Sequence, residues 1–107
     1  MQAVTDKTFA TAVLERSKSV PVVVDLWAAW CGPCRVLSPI LERVVGEAAG
    51  AVELVAIDVD HNQRTAQAFG VQSIPSVFAF RDGEVVDSFV GARSERFVRK
   101  FLRRLVP

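Results

Sequence analysis

The sequence predicts a three-layer α/β/α domain built on a mixed central sheet, parallel at its front and closed by an antiparallel C-terminal hairpin. Three observations predict it. Apolar β-rich runs alternate with helical periodicity through the first seventy residues, which demands parallel pairing. Val20 to Trp27 is apolar with little alternation, the mark of a strand covered on both faces. Near the end, Asp82-Gly83 separates two strand-like runs and is a strong two-residue hairpin signal.

Each element follows from local chemistry. A short strand is expected at Gln2 to Val4. Residues 6 to 17 read as a helix capped by Asp6, with Phe9, Ala10, Val13 and Leu14 on its apolar side. Pro21 fits only near the start of the Val20 to Trp27 strand. Residues 31 to 49 form the longest periodic segment, with Val36, Leu37, Ile40, Leu41, Val44, Val45 and Ala48 on one face. Pro39 inside it should kink it. Val52 to Asp58 is a second apolar strand. A short helix over 62 to 69 ends at Gly70, which suits a left-handed cap. Ser76 to Arg81 and Glu84 to Val90 flank the hairpin turn. Ser94 caps a last helix with Phe97, Val98, Phe101, Leu102 and Leu105 on its inner side.

Composition bounds the function. The chain has 107 residues, 50% apolar and 23% charged, the balance of one globular domain spanning residues 1–107. Lys and Arg number 13 against 12 Asp and Glu, a net charge of +1, so no broad positive field exists to hold a nucleic-acid backbone. No run approaches the ~20 apolar residues of a membrane span. Asp6 and Lys7 stand where a signal peptide would place its apolar core, so a soluble intracellular chain is expected.

Chemistry concentrates in Trp30-Cys31-Gly32-Pro33-Cys34, where a strand hands over to a helix. Zinc would need four ligands, and two cysteines with the distant His61 do not supply them. Haem attachment would need His at position 35, which is Arg. A purely structural bridge closes a four-residue loop and would stabilise the fold by only about 2 kcal/mol. Reversible dithiol–disulfide exchange is the favoured reading. Cys31 falls at the helix start, where unpaired N–H groups and the dipole stabilise a thiolate, the attacking species. Cys34 continues the stripe of Leu37, Leu41 and Val44, so its sulfur is expected to face inward while that of Cys31 is open. Pro33 in the first turn lacks an N–H that would be unpaired anyway.

Asp25 interrupts the buried run Val22-Val23-Val24 and Leu26-Trp27. Burial of a carboxylate without a partner raises its pKa. It either meets a backbone donor or solvent at a strand end, or it accepts the proton of Cys34. His61, in a polar turn, reads as a solvated histidine, and Trp27 as a core residue. The basic cluster Arg96, Arg99, Lys100, Arg103 and Arg104 suits the outward face and negative end of the last helix.

The segment VVVDLWAAWCGPCRVLSPIL, with SIPSVFAFRDGE and Val90-Gly91, resembles the thioredoxin family from about Thr5 to Leu105. The resemblance implies the thioredoxin fold and a protein-disulfide reductase. In it, Cys31 attacks, Cys34 resolves and Asp25 assists proton transfer, while Gly32 and Pro33 tune the redox potential. It implies a cis Pro75 beside the sulfurs, and a shallow substrate rim of Trp30, Ile74, Pro75, Val90 and Gly91. No bound cofactor or metal is expected beyond the redox-active Cys31–Cys34 pair. Client proteins with disulfides and an NADPH-dependent thioredoxin reductase are the implied partners of a cytoplasmic monomer. Two positions depart from the pattern: Ala56 stands where many thioredoxins carry a lysine near the aspartate, and Ala29 where an acid is frequent. Asp25 should therefore be shifted further upward. A different class of function also fits the resemblance, a client-binding, chaperone-like thioredoxin domain of a larger protein in which the dithiol is secondary.

Overall fold

The central strand decides the architecture. In the computed structural model, which describes residues 1–106, β2 (Val22–Trp27) pairs in parallel with β3 (Glu53–Asp58) and antiparallel with β4 (Ser76–Arg81). A short β1 (Gln2–Ala3) joins β3 in parallel, and β5 (Glu84–Val90) joins β4 antiparallel. The sheet order is β1-β3-β2-β4-β5. This mixed sheet, with helices on both faces, is the thioredoxin fold.

Side chains of β2 alternate between two cores, as the pleat requires. Val22, Val24 and Leu26 enter one core with Phe9, Val13, Val55, Ile57 and Phe80. Val23 enters the other, with Leu37, Leu41 and Val44 of α1 (Gly32–Glu47) and Val98, Phe101 and Leu102 of α3 (Glu95–Arg103). Asp25 shares the parity of Val23, and its carboxyl therefore lies on the α1 side. Two ion pairs bind α1 to α3, Arg43 to Glu95 and Arg99 to Glu47, and Arg99 also pairs with Glu95 one turn away on α3 itself. Part of the basic cluster on α3 is thereby engaged in the scaffold, and Arg104 likewise meets Asp87 of β5 at 2.9 Å.

Several elements match their expected bounds and several do not. Asp82 and Gly83 both adopt positive φ, 54° and 80°, as the tight hairpin needs. Ser94 accepts the N–H of Phe97 and caps α3. The short helix α2 (Gln63–Ala68) is followed by Gly70 at φ 64°. The strand expected from Val20 starts only at Val22, after Pro21. Helix α1 continues through Pro39 as one element.

The first helix differs most. In place of a regular helix over 6 to 17, a wide π-type segment spans Ala10–Glu15 and tightens into a 3₁₀ turn at Arg16–Lys18. Asp6 does not cap it. Its carboxylate accepts the N–H groups of Arg64 and Thr65 and the hydroxyl of Thr65, at the start of α2. The local turn is closed instead by Thr5 and Thr8, each backbone N–H donating to the other's hydroxyl. Asp6 gains more from three donors on α2 than from one local amide, and its pKa is lowered, first by the Thr65 hydroxyl.

Candidate active site

The end of β2 delivers Trp27 and Ala28 directly to the head of α1. Cys31 is the N-cap residue of α1, in extended conformation, and its sulfur accepts the backbone N–H of Cys34 at 3.2 Å. Pro33 occupies the first turn, where its missing N–H costs nothing. Cys31 and Cys34 are joined in a disulfide, with their Cα atoms 5.4 Å apart. Both residues are closed off in this form, Cys31 at 3% and Cys34 at 2% exposure. The expected contrast between an open and a covered sulfur is thus absent from the oxidised state. What separates the two is the helix: the N-terminal N–H points to the sulfur of Cys31.

Ala28 is buried with the two cysteines, and Trp27, Val59 and Ile74 pack against that cluster. Trp27 is only half-buried, between core and site. The Ile74–Pro75 peptide bond is cis. Pro75 is buried, and its carbonyl accepts the N–H of Gly91 at 2.8 Å, while Ser76 pairs with Val90 in the ladder. Those bonds bring Pro75, Val90 and Gly91 together at one end of β4 and β5. Gly91 has φ 90°, a conformation that side chains strain. Trp30 stands apart at 69% exposure, its indole N–H donated to Asp60 at 2.9 Å. Gly32 is exposed, with open space where a Cβ would be.

Asp25 is fully buried. Its Oδ2 accepts the Ser38 hydroxyl at 2.6 Å, and its Oδ1 has no hydrogen-bond partner among the described residues. Desolvation pushes the carboxyl up to about 6. The Ser38 bond opposes that rise, and the charge of Glu42 adds to it. A cavity of about 460 Å³ adjoins it, lined among others by Cys34, Arg35, Ser38, Glu42 and Ala56. Asp25 and Cys34 thus line one space. Of the two readings of Asp25, a backbone-satisfied carboxylate is not what the structure holds.

The comparisons follow the same residues. The family model described as Thioredoxin matches residues 1–104. The chain belongs to the thioredoxin family. It is 44% identical to a thioredoxin of Mycobacterium tuberculosis over 104 residues, which cover 97% of this chain and 88% of that one. It is similar to thioredoxin 1 of Synechococcus elongatus, 44% identical over 84% of this chain and 82% of the relative. A Streptomyces clavuligerus thioredoxin is 46% identical over 87% and 84%. With the paired cysteines, this makes the chain a thioredoxin-type thiol–disulfide oxidoreductase, a protein-disulfide reductase. No finding favours the client-binding domain of a larger protein. Among the described residues, no group of three or more His, Cys, Asp or Glu could hold a metal ion, and no helix is long and apolar enough to cross a membrane.

Three site neighbours escaped the sequence. Val36 reads as core by periodicity but is 60% exposed beside the active-site turn. Ser38 carried a legible signal, a polar residue four beyond Cys34 and next to the buried stripe. Asp60, the partner of Trp30, had none, because thirty residues separate them. His61 is solvent-facing as expected and bonds Asp58 at 2.9 Å, which raises its pKa.

Proposed function

We propose that Cys31 is the attacking sulfur, Cys34 the resolving sulfur and Asp25 the proton acceptor in reduction of client disulfides. The observation that carries this reading is the Cys34 N–H donated to the Cys31 sulfur at the helix N-cap. A negative charge on that sulfur meets both the donor and the positive end of α1, so Cys31 is the thiol that ionises more readily.

Reaction then runs in two exchanges. The Cys31 thiolate attacks one sulfur of a client disulfide, the client S–S bond breaks, and the other client sulfur leaves as a thiolate. Cys34 loses its proton to Asp25 and attacks the Cys31 sulfur of the mixed disulfide. That bond breaks, the second client thiolate leaves and takes up a proton, and Cys31–Cys34 is oxidised as the client gains two electrons. Gly32 and Pro33 set the turn between the sulfurs and, by likeness to the family, the potential of the pair. Trp30, Ile74, Pro75, Val90 and Gly91 form the rim that receives an extended client segment. Exposure of Trp30 and Val90, at 69% and 51%, supports that assignment. The chain acts without a bound cofactor, as a monomeric single domain in the cytoplasm, and an NADPH-dependent thioredoxin reductase restores its dithiol.

Trapping tests the roles. Cys34→Ser is expected to accumulate mixed disulfides with client proteins through Cys31, and Cys31→Ser to accumulate none. Equal trapping by both variants overturns the assignment. Reductase activity that survives Cys31→Ser overturns the dithiol mechanism itself.

A further inference from the structure

The two oxygens of Asp25 are treated differently by the fold. Oδ2 is tied to Ser38, and Oδ1 is buried without a partner, in a carboxyl that shares a cavity with Cys34. Ser38 lies one helical turn beyond Cys34, so the two side chains rise from the same face of α1. The helix that carries the resolving sulfur therefore also carries the donor that holds the carboxyl.

We propose that Ser38 is a positioning residue for the exchange reaction, holding Oδ2 so that Oδ1 is the oxygen that takes the proton of Cys34. The proposal rests on the reading of Asp25 as proton acceptor. An aspartate carboxyl turns broadly about its last torsion. One short hydroxyl donor restricts that rotation and distinguishes the two oxygens. The same donor bonds most strongly to the ionised form, and so keeps a desolvated carboxylate available as a base.

Other groups facing the carboxyl do not substitute for Ser38. On α1, Glu42 is repulsive, and Arg35 donates its guanidinium to the carbonyl of Ala29 at 2.5 Å. Cys34 is the reaction partner. From β3 and β4 the ladder neighbours are Ala56 and Val77, which do not ionise. Met1 and Ala3 also line the cavity, and neither side chain ionises.

The test compares Ser38→Ala with Ser38→Thr, which keeps a hydroxyl. In the oxidised protein Cys34 does not titrate, so carboxyl ¹³C NMR reads Asp25 alone. Ser38→Ala is expected to move its midpoint upward by about one unit, the scale of a lost hydrogen bond to a charged group. The pH profile of mixed-disulfide resolution moves upward with it, and Ser38→Thr restores both. An unchanged midpoint in Ser38→Ala overturns the proposal, as does an equal shift in Ser38→Thr. Asp25→Asn provides the separate control. A wild-type resolution profile in that variant overturns the assignment of Asp25 as acceptor, whatever Ser38 does to its midpoint.

Discussion

Asp25 and Ala56 are register partners in the parallel ladder of β2 and β3, and both line the cavity behind the disulfide. A small apolar residue thus stands beside a buried carboxyl that has one donor and one unpaired oxygen. Ala56→Lys is expected to place an ammonium in that cavity and to lower the Asp25 midpoint from about 6 by about 1–3 units, the effect of a close opposite charge. Carboxyl ¹³C titration of the oxidised variant checks the direction. A midpoint that stays or rises would show that the cavity admits no cation to the carboxyl.

Burial of Asp25 also carries a stability cost with a defined sign. Its folded pKa lies above the unfolded value, so between about pH 4 and 6 the folded state binds more protons and stability falls as pH rises. Above that window the loss is complete, about 3 kcal/mol for a shift of this size. Asp25→Asn removes the charge and is expected to be more stable than wild type near pH 7 by up to about 3 kcal/mol, with the gain disappearing near pH 4. Urea unfolding of the oxidised proteins across pH 4 to 8 measures this. A gain independent of pH would assign the effect to packing.

Asp6 gives the opposite sign. Its pKa is lowered by the Thr65 hydroxyl and by the backbone of Arg64 and Thr65. The stabilisation is present above the unfolded carboxylate value and lost as pH falls through the lower folded one. Asp6→Ala is expected to destabilise the protein at neutral pH and to expose the Arg64 and Thr65 amides to exchange first. Hydrogen exchange localised to α2 supports this. Loss of protection in Ala10–Glu15 alone would restore Asp6 to the role of a cap for the first helix.

Reduction should open the asymmetry that the disulfide hides. Cys31 and Cys34 are almost equally covered when joined, yet only Cys31 receives a helix N–H. In the reduced protein near pH 7, alkylation is expected to label Cys31 at least about tenfold faster than Cys34, as one unit of thiol pKa would give. Mass spectrometry of partly labelled protein measures the ratio. Equal rates would contradict the division of roles.

Local chemistry made much of this legible. The Asp82-Gly83 turn, the Ser94 cap, the cysteine pair at a strand–helix junction and the anomalous Asp25 all announce themselves within a few residues. What stayed hidden was decided at a distance. Asp6 was offered a nearby helix and a remote one, and the remote helix won through donors 58 and 59 residues away. Val36 sits at the margin of an apolar stripe, where periodicity cannot tell an inner from an outer edge. Ser38 acquires its meaning only when β2 lies beneath α1. The helix over 6 to 17 has suitable apolar spacing, but spacing alone does not distinguish regular from wide turns.

The unpaired oxygen of Asp25 has a consequence for how this protein would fare under selection in the laboratory. A screen rewarding heat tolerance alone would favour uncharged replacements at position 25, because that residue opposes folding near neutrality. By the role proposed for Asp25, the survivors would be sturdier molecules with a slower second half-reaction. Turnover has to be scored in the same experiment if durability is not to be gained by quietly disarming the catalyst.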